Sequence, residues 1–285
     1  MSTINESPLS HTTEGIPAQR ISQAFARASK EGRSVLIPYL MSGFPSAEQS
    51  VKLVLAAAEG GADIIELGMP FSDPLADGAT IQHAGQIALE RGMTVNGCME
   101  VARQVSAKTT VPLILMGYYN PVLAYGIERF CKTARQSGVC ALIIPDLPPE
   151  EAEPLRLAAR QQGLTLIFLI PPTTPDARIA HIAELSAESL GGFVYCVSLS
   201  GVTGARKELP PHLREFIQRV RTYTEPKQLP IAIGFGLSTP EHIAQIARYA
   251  EGAVVGSALV HLVDQHKEDE QENAVRQYIQ SLRQM

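Results

Sequence analysis

No apolar run in this 285-residue chain approaches the length needed to cross a membrane. The opening stretch MSTINESPLSHTTEG lacks the apolar core of a secretory signal. Residues 1–15 are expected to be a disordered tail ahead of a single domain over 16–285. Cysteine is sparse: Cys98, Cys131, Cys140 and Cys196 form no C-x-x-C pair and no zinc-ligand spacing, which suits a reducing, cytoplasmic location. The seven histidines likewise show no metal-ligand spacing, so no metal is expected. Basic residues are few. With 24 Lys and Arg against 29 Asp and Glu the net charge is −5, which argues against a nucleic-acid partner. Neither G-x-S-x-G nor a Walker A motif occurs, removing the usual serine hydrolase and P-loop readings. Tryptophan is absent, which by itself decides nothing.

What the chain does have is a regular alternation. Short, nearly continuous apolar runs at 35–40, 63–67, 112–117, 141–145, 164–170, 192–197, 230–234 and 252–255 predict strands covered on both faces. Between them, helical patterns run over 47–59, 95–107, 127–137, 150–162, 176–187, 211–222 and 240–249. A further helix is predicted at 19–30, before the first strand, and a charged amphipathic one at 268–283. Ser46 with Gln49, and Thr239 before Pro240, are helix-start signals. About eight such units in one chain predict an α/β protein, a (β/α)₈ TIM barrel with an extra N-terminal helix. An open doubly wound sheet is the second choice, but its glycine fingerprint is missing after the first strand.

The densest chemistry lies in ELGMPFSDPLADG, residues 66–78. Glu66 is expected at the end of the second strand, and the loop behind it carries Asp73 and Asp77 and is stiffened by Pro70 and Pro74. Two acids brought back to one pocket suit proton transfer. Taken alone, Asp-Pro and Asp-Gly are also ordinary turn formers, and a Glu at a strand end is often solvated. The apolar flanks Ile65 and Leu67 are expected to raise the pKa of Glu66.

Three glycine-bearing loops follow the last strands, at 200–204, 234–238 and 256–257. In barrels, the loops after strands seven and eight often cradle phosphate with backbone N–H groups and a helix N-terminus. Each glycine alone is equally a turn or cap residue. Tyr195 falls within strand six, either packing in the core or answering a carboxylate in the barrel mouth. Tyr39, Tyr118, Leu169 and Phe235 fall near strand ends, where they either wall an aromatic-sized pocket or form the top packing layer.

The segment 66–82, with GVTGAR at 201–206, GFGLS at 234–238 and GSALV at 256–260, closely resembles the alpha chain family of tryptophan synthase. The similarity runs from about residue 20 to 283, with motifs in matching order. It implies a barrel that cleaves indole-3-glycerol phosphate into indole and glyceraldehyde 3-phosphate. It also implies a beta chain partner, which carries pyridoxal phosphate, in an alpha2beta2 tetramer; no cofactor is implied for this chain itself. By the resemblance Glu66 and Asp77 are the catalytic acids and Tyr195 the active-site tyrosine. Gly204, Gly236, Gly256 and Ser257 correspond to phosphate binders, and Tyr39 and Phe235 to substrate contacts. Pro70, Asp73, Asn120 and Pro148 are expected to face the partner, and Thr203 and Arg206 to belong to a lid. Phe44 departs from the pattern, standing where the family commonly has an acid. Three other readings compete: a different phosphate-binding barrel enzyme, an inactive regulatory partner, and an independent indole lyase.

Overall fold

Eight short parallel strands close on themselves in chain order: β1 (Val35–Met41), β2 (Ile65–Gly68), β3 (Leu113–Met116), β4 (Val139–Ile143), β5 (Thr165–Ile170), β6 (Val194–Val197), β7 (Ile231–Gly234) and β8 (Gly252–Val255), the last returning to β1. This computed structural model describes residues 16–189, 191–197, 212–234 and 236–283. Helix α1 (Gln19–Lys30) precedes the barrel. Around it run α2 (Ala47–Glu59), α3 (Ala79–Glu90), α4 (Val95–Ser106), α5 (Tyr119–Tyr125), α6 (Ile127–Gln136) and α7 (Glu153–Gln161). They are followed by α8 (Asp176–Ala187), α9 (Leu213–Thr224), α10 (Pro240–Ile246), α11 (Ser257–Gln265) and α12 (Glu268–Ser281). No helix among the described residues is long and apolar enough to cross a membrane.

Successive strand residues point to opposite faces, and this alternation sorts the core into two shells. Val35, Ile37, Ile64, Ile114, Ile143, Ile167, Phe193 and Val254 fill the barrel interior. Leu36, Leu40, Ile65, Leu67, Leu113, Leu115 and Leu142 pack outward against the helices. Helix α1 closes the N-terminal end of the barrel with Ile21, Ala24, Phe25 and Ala28, an i, i+3, i+4, i+7 stripe. Its Phe25 ring lies 5.4 Å from that of Phe193. Each large side chain so buried stabilises the fold by roughly 1.5–3 kcal/mol.

The helix-start signals appear as capping bonds. Ser46 Oγ accepts from the Gln49 N–H at 3.1 Å, and Thr239 Oγ1 from the His242 N–H at 3.3 Å. The helix expected over 150–162 is broken into a 3-10 turn (Pro149–Glu151) and α7. A continuous helix would need a Pro154 N–H to reach the Glu150 carbonyl; proline has none, and its ring clashes there. Helices α3, α5 and α11 were not expected from periodicity. α5 has seven residues and α11 nine, too few turns for a clear period, and α3 begins directly behind the acidic loop.

Candidate active site

Strand alternation decides where Glu66 goes. Ile64, just ahead of β2, and Glu66 within it share the interior face, so the carboxyl points into the barrel, and a one-residue slip would send it into the helix layer. Two corrections follow. Glu66 lies within β2 and not at its end. Its neighbours Ile65 and Leu67 face the helices, so its apolar surroundings come from across the barrel and not from the flanking chain.

The Glu66 side chain is buried, and its Oε1 has no hydrogen-bond partner. Burial disfavours the ionised form and pushes its pKa from 4.5 up to about 8. Tyr39 is its register partner on β1. The Tyr39 ring reaches over β2, where Gly68 makes room: a Cβ there would collide with the phenol oxygen. Gly234 on β7 does the same for Tyr195, whose hydroxyl lies 2.5 Å from where a Cβ would stand. Both phenols are pushed well above their ordinary pKa by burial first, then by nearby acids: Asp77 and Glu66 for Tyr39, Glu66 for Tyr195. The sequence offered no separate signal for Gly68 and Gly234, because the need for a missing side chain arises only when a tyrosine arrives from the adjacent strand.

Asp77 returns to the same cavity from the loop ahead of α3. Burial pushes its pKa from 3.8 up to about 6, opposed by a hydrogen bond from Tyr118. The Tyr118 hydroxyl also accepts the Ala76 N–H at 2.9 Å, and its ring lies 5.2 Å from Phe71. Tyr118 is therefore behind the acidic loop and not in the cavity wall, where it was expected. Tyr118→Phe leaves the Ala76 N–H without that acceptor and removes a bond that favours ionised Asp77. Turnover is expected to fall roughly tenfold, with the acidic limb of the pH profile moving upward. An unmoved limb would show that Tyr118 does not hold Asp77.

The cavity measures about 780 Å³; Tyr39 and Leu169 wall it as expected, Tyr195 opens onto it from β6, and the wall is completed by Met116, Ile144 and Val254. These three were not singled out in the sequence; Met116 and Val254 extend the inward alternation of their strands. Gly236, with φ +72°, and Gly256 and Ser257 at the start of α11 line the same cavity. At the start of α11 the Leu259 N–H bonds back to the Gly256 carbonyl at 2.8 Å, and the N–H groups of Ser257 and Ala258 ahead of it favour an anion. Thr203, Gly204, Arg206 and Phe235 lie outside the described residues. On the rim, Asp73 and Asn120 are exposed, Pro70 is half-buried, and Pro148 lines the cavity. Leu75, on the acidic loop, is 95% exposed and was not anticipated. Phe44 is buried between strands and helices and does not line the cavity.

Comparison with known proteins places nearly the whole chain among relatives. The family model described as tryptophan synthase alpha chain matches residues 25–285. The alpha chain of Chloroflexus aggregans is 48% identical over 264 residues, covering 92% of this chain and 96% of that one. That of Roseiflexus castenholzii is 45% identical over 265 residues, 93% of this chain and 99% of its own. Among solved structures, a Mycobacterium tuberculosis tryptophan synthase chain superposes with a TM-score of 0.84 at 36% identity, over 93% of this chain and 96% of that one. With the closed barrel, the paired acids at its mouth and a match over nearly the whole length, this chain belongs to the tryptophan synthase alpha chain family.

Proposed function

We propose that the barrel mouth cleaves indole-3-glycerol phosphate to indole and glyceraldehyde 3-phosphate, with Glu66 as the acid and base. One observation carries the assignment of roles: a buried, unpartnered carboxyl with pKa about 8 shares a cavity with a second carboxyl at about 6. Environments that hold two acids apart in this way separate a proton donor from an ionised group near neutral pH. Protonated Glu66 delivers its proton to C3 of the indole ring, and its carboxylate then takes the proton of the side-chain hydroxyl as the C–C bond breaks. Ionised Asp77 stabilises the positive charge that develops on the ring nitrogen. Tyr195, beside Glu66, orients the reacting carboxyl. No group beyond these side chains is required for the proton transfers.

Gly236, Gly256 and Ser257 hold the phosphate, and Tyr39 and Leu169 the indole, so binding at both ends positions the bond between them. By family resemblance, Gly204 completes the phosphate cradle and Phe235 the indole wall; Thr203 and Arg206, at the polar, charged stretch that follows Gly204, belong to a lid. The partner is a beta chain holding pyridoxal phosphate, in an alpha2beta2 assembly. A chain from a Pyrococcus furiosus a2b2 tryptophan synthase complex superposes with a TM-score of 0.80 at 34% identity. Exposed Leu75, beside Pro70 and Asp73, and with Asn120 and Pro148, marks the face it meets.

The test is indole release from indole-3-glycerol phosphate by the purified chain, alone and with a tryptophan synthase beta chain. Slow release that rises sharply with the beta chain is expected. Fast release by the chain alone overturns the partner reading, and no release in either mixture overturns the reaction.

A further inference from the structure

A second concavity lies far from the mouth, at the N-terminal side of the barrel, among α9, the turn after α10 and the end of α1. It encloses about 540 Å³, and Arg33, Arg214, Arg221 and Arg248 contribute to its lining. Two of these are already engaged. Arg33 binds Asp63 through both Nη atoms at 2.7 and 2.9 Å, and Glu31 through Nε at 2.6 Å. Arg221 uses Nη2 for both the Tyr249 carbonyl at 2.6 Å and Glu251 Oε1 at 2.9 Å. Glu251 is the one acid in the lining, and its other oxygen accepts the Ile231 N–H at 2.9 Å.

Arg214 and Arg248 are different. Both are exposed, and among the described residues neither guanidinium has a hydrogen bond or ion pair. Two guanidinium charges thus line one groove and, among the described residues, no carboxylate is bonded to either, in a chain whose net charge is −5. Arginine presents a planar fork of donors that fits phosphate oxygens in pairs. Ser29 and Gln218 add neutral donors to the same lining.

We propose that this groove is a second binding site, separate from the barrel mouth, for a small phosphate monoester. The dianion that such a group carries above a second pKa of about 6 matches the two unanswered guanidinium charges. Arg214 and Arg248 grip the phosphoryl oxygens, and the free Nε and Nη1 of Arg221 complete the cradle.

Calorimetric titration of the full chain with inorganic phosphate at pH 8 tests this. Wild type is expected to show two binding events, one at the mouth and one in the groove. R214A/R248A is expected to lose one of them, an affinity loss of at least roughly tenfold. An unchanged KM for indole-3-glycerol phosphate in the same variant would show that the lost event is not the mouth and that the fold is intact. Identical titrations for wild type and variant, or a single event in both, would overturn the proposal.

Discussion

Glu66→Gln is expected to lower cleavage of indole-3-glycerol phosphate by roughly 10²–10⁴-fold while the barrel stays folded. Glutamine keeps the shape of the side chain but cannot donate and retake a proton. The same variant makes a stability prediction of its own. In the folded chain the Glu66 carboxyl holds its proton up to about 8, against 4.5 for the free group. Between those values the folded state binds a proton that the unfolded state has released, so stability falls as pH rises from 4.5 to about 8. Below that window the carboxyl is neutral in both states and the penalty is absent. Glutamine never ionises and escapes the loss, which is worth at most a few kcal/mol. Its amide finds no more partners than Oε1 does, so the net gain is smaller. At pH 8 the variant should melt at or above the wild-type temperature, with the difference shrinking toward pH 4.5. Near-normal turnover would remove Glu66 from the chemistry, and a clearly lower melting temperature at pH 8 would contradict its burial as a neutral acid.

Asp77→Asn is expected to cost about 10²–10³-fold in turnover, the loss usual when one electrostatic stabiliser of a developing charge is removed. The other residues proposed to hold the phosphate and the indole lie on other elements, so KM should change little. The pH profile separates this role from that of Glu66. Activity needs Asp77 ionised and Glu66 protonated, so wild-type kcat/KM should rise through about pH 6 and fall through about pH 8. Asp77→Asn should lose the acidic limb and keep the basic one. A variant that retains both limbs would show that the acidic limb belongs to another group.

Much of this site was legible in the chain. The two acids and Tyr195 stand in a long motif and a strand core, and the structure brings all three to one cavity. Gly236, Gly256 and Ser257, expected from their positions after the last two strands to hold a phosphate, line the same cavity. What stayed hidden depends on neighbours from other strands. Tyr118 reads as a wall residue because it follows a strand; only the packing of two loops turns its hydroxyl toward Ala76 and Asp77. Gly68 and Gly234 matter because Tyr39 and Tyr195 come across from β1 and β6. Leu75 reads as one leucine in a loop until its exposure is seen.

By itself, then, the sequence determined the βα order, the extra first helix and the placing of Glu66 and Asp77 in one strand-and-loop segment, because periodicity and punctuation are local properties of a chain. The tertiary structure alone decided the acidity of Glu66. Its strand neighbours Ile65 and Leu67 face away, and the low-dielectric surroundings that keep the carboxyl neutral are assembled only when eight strands close around it.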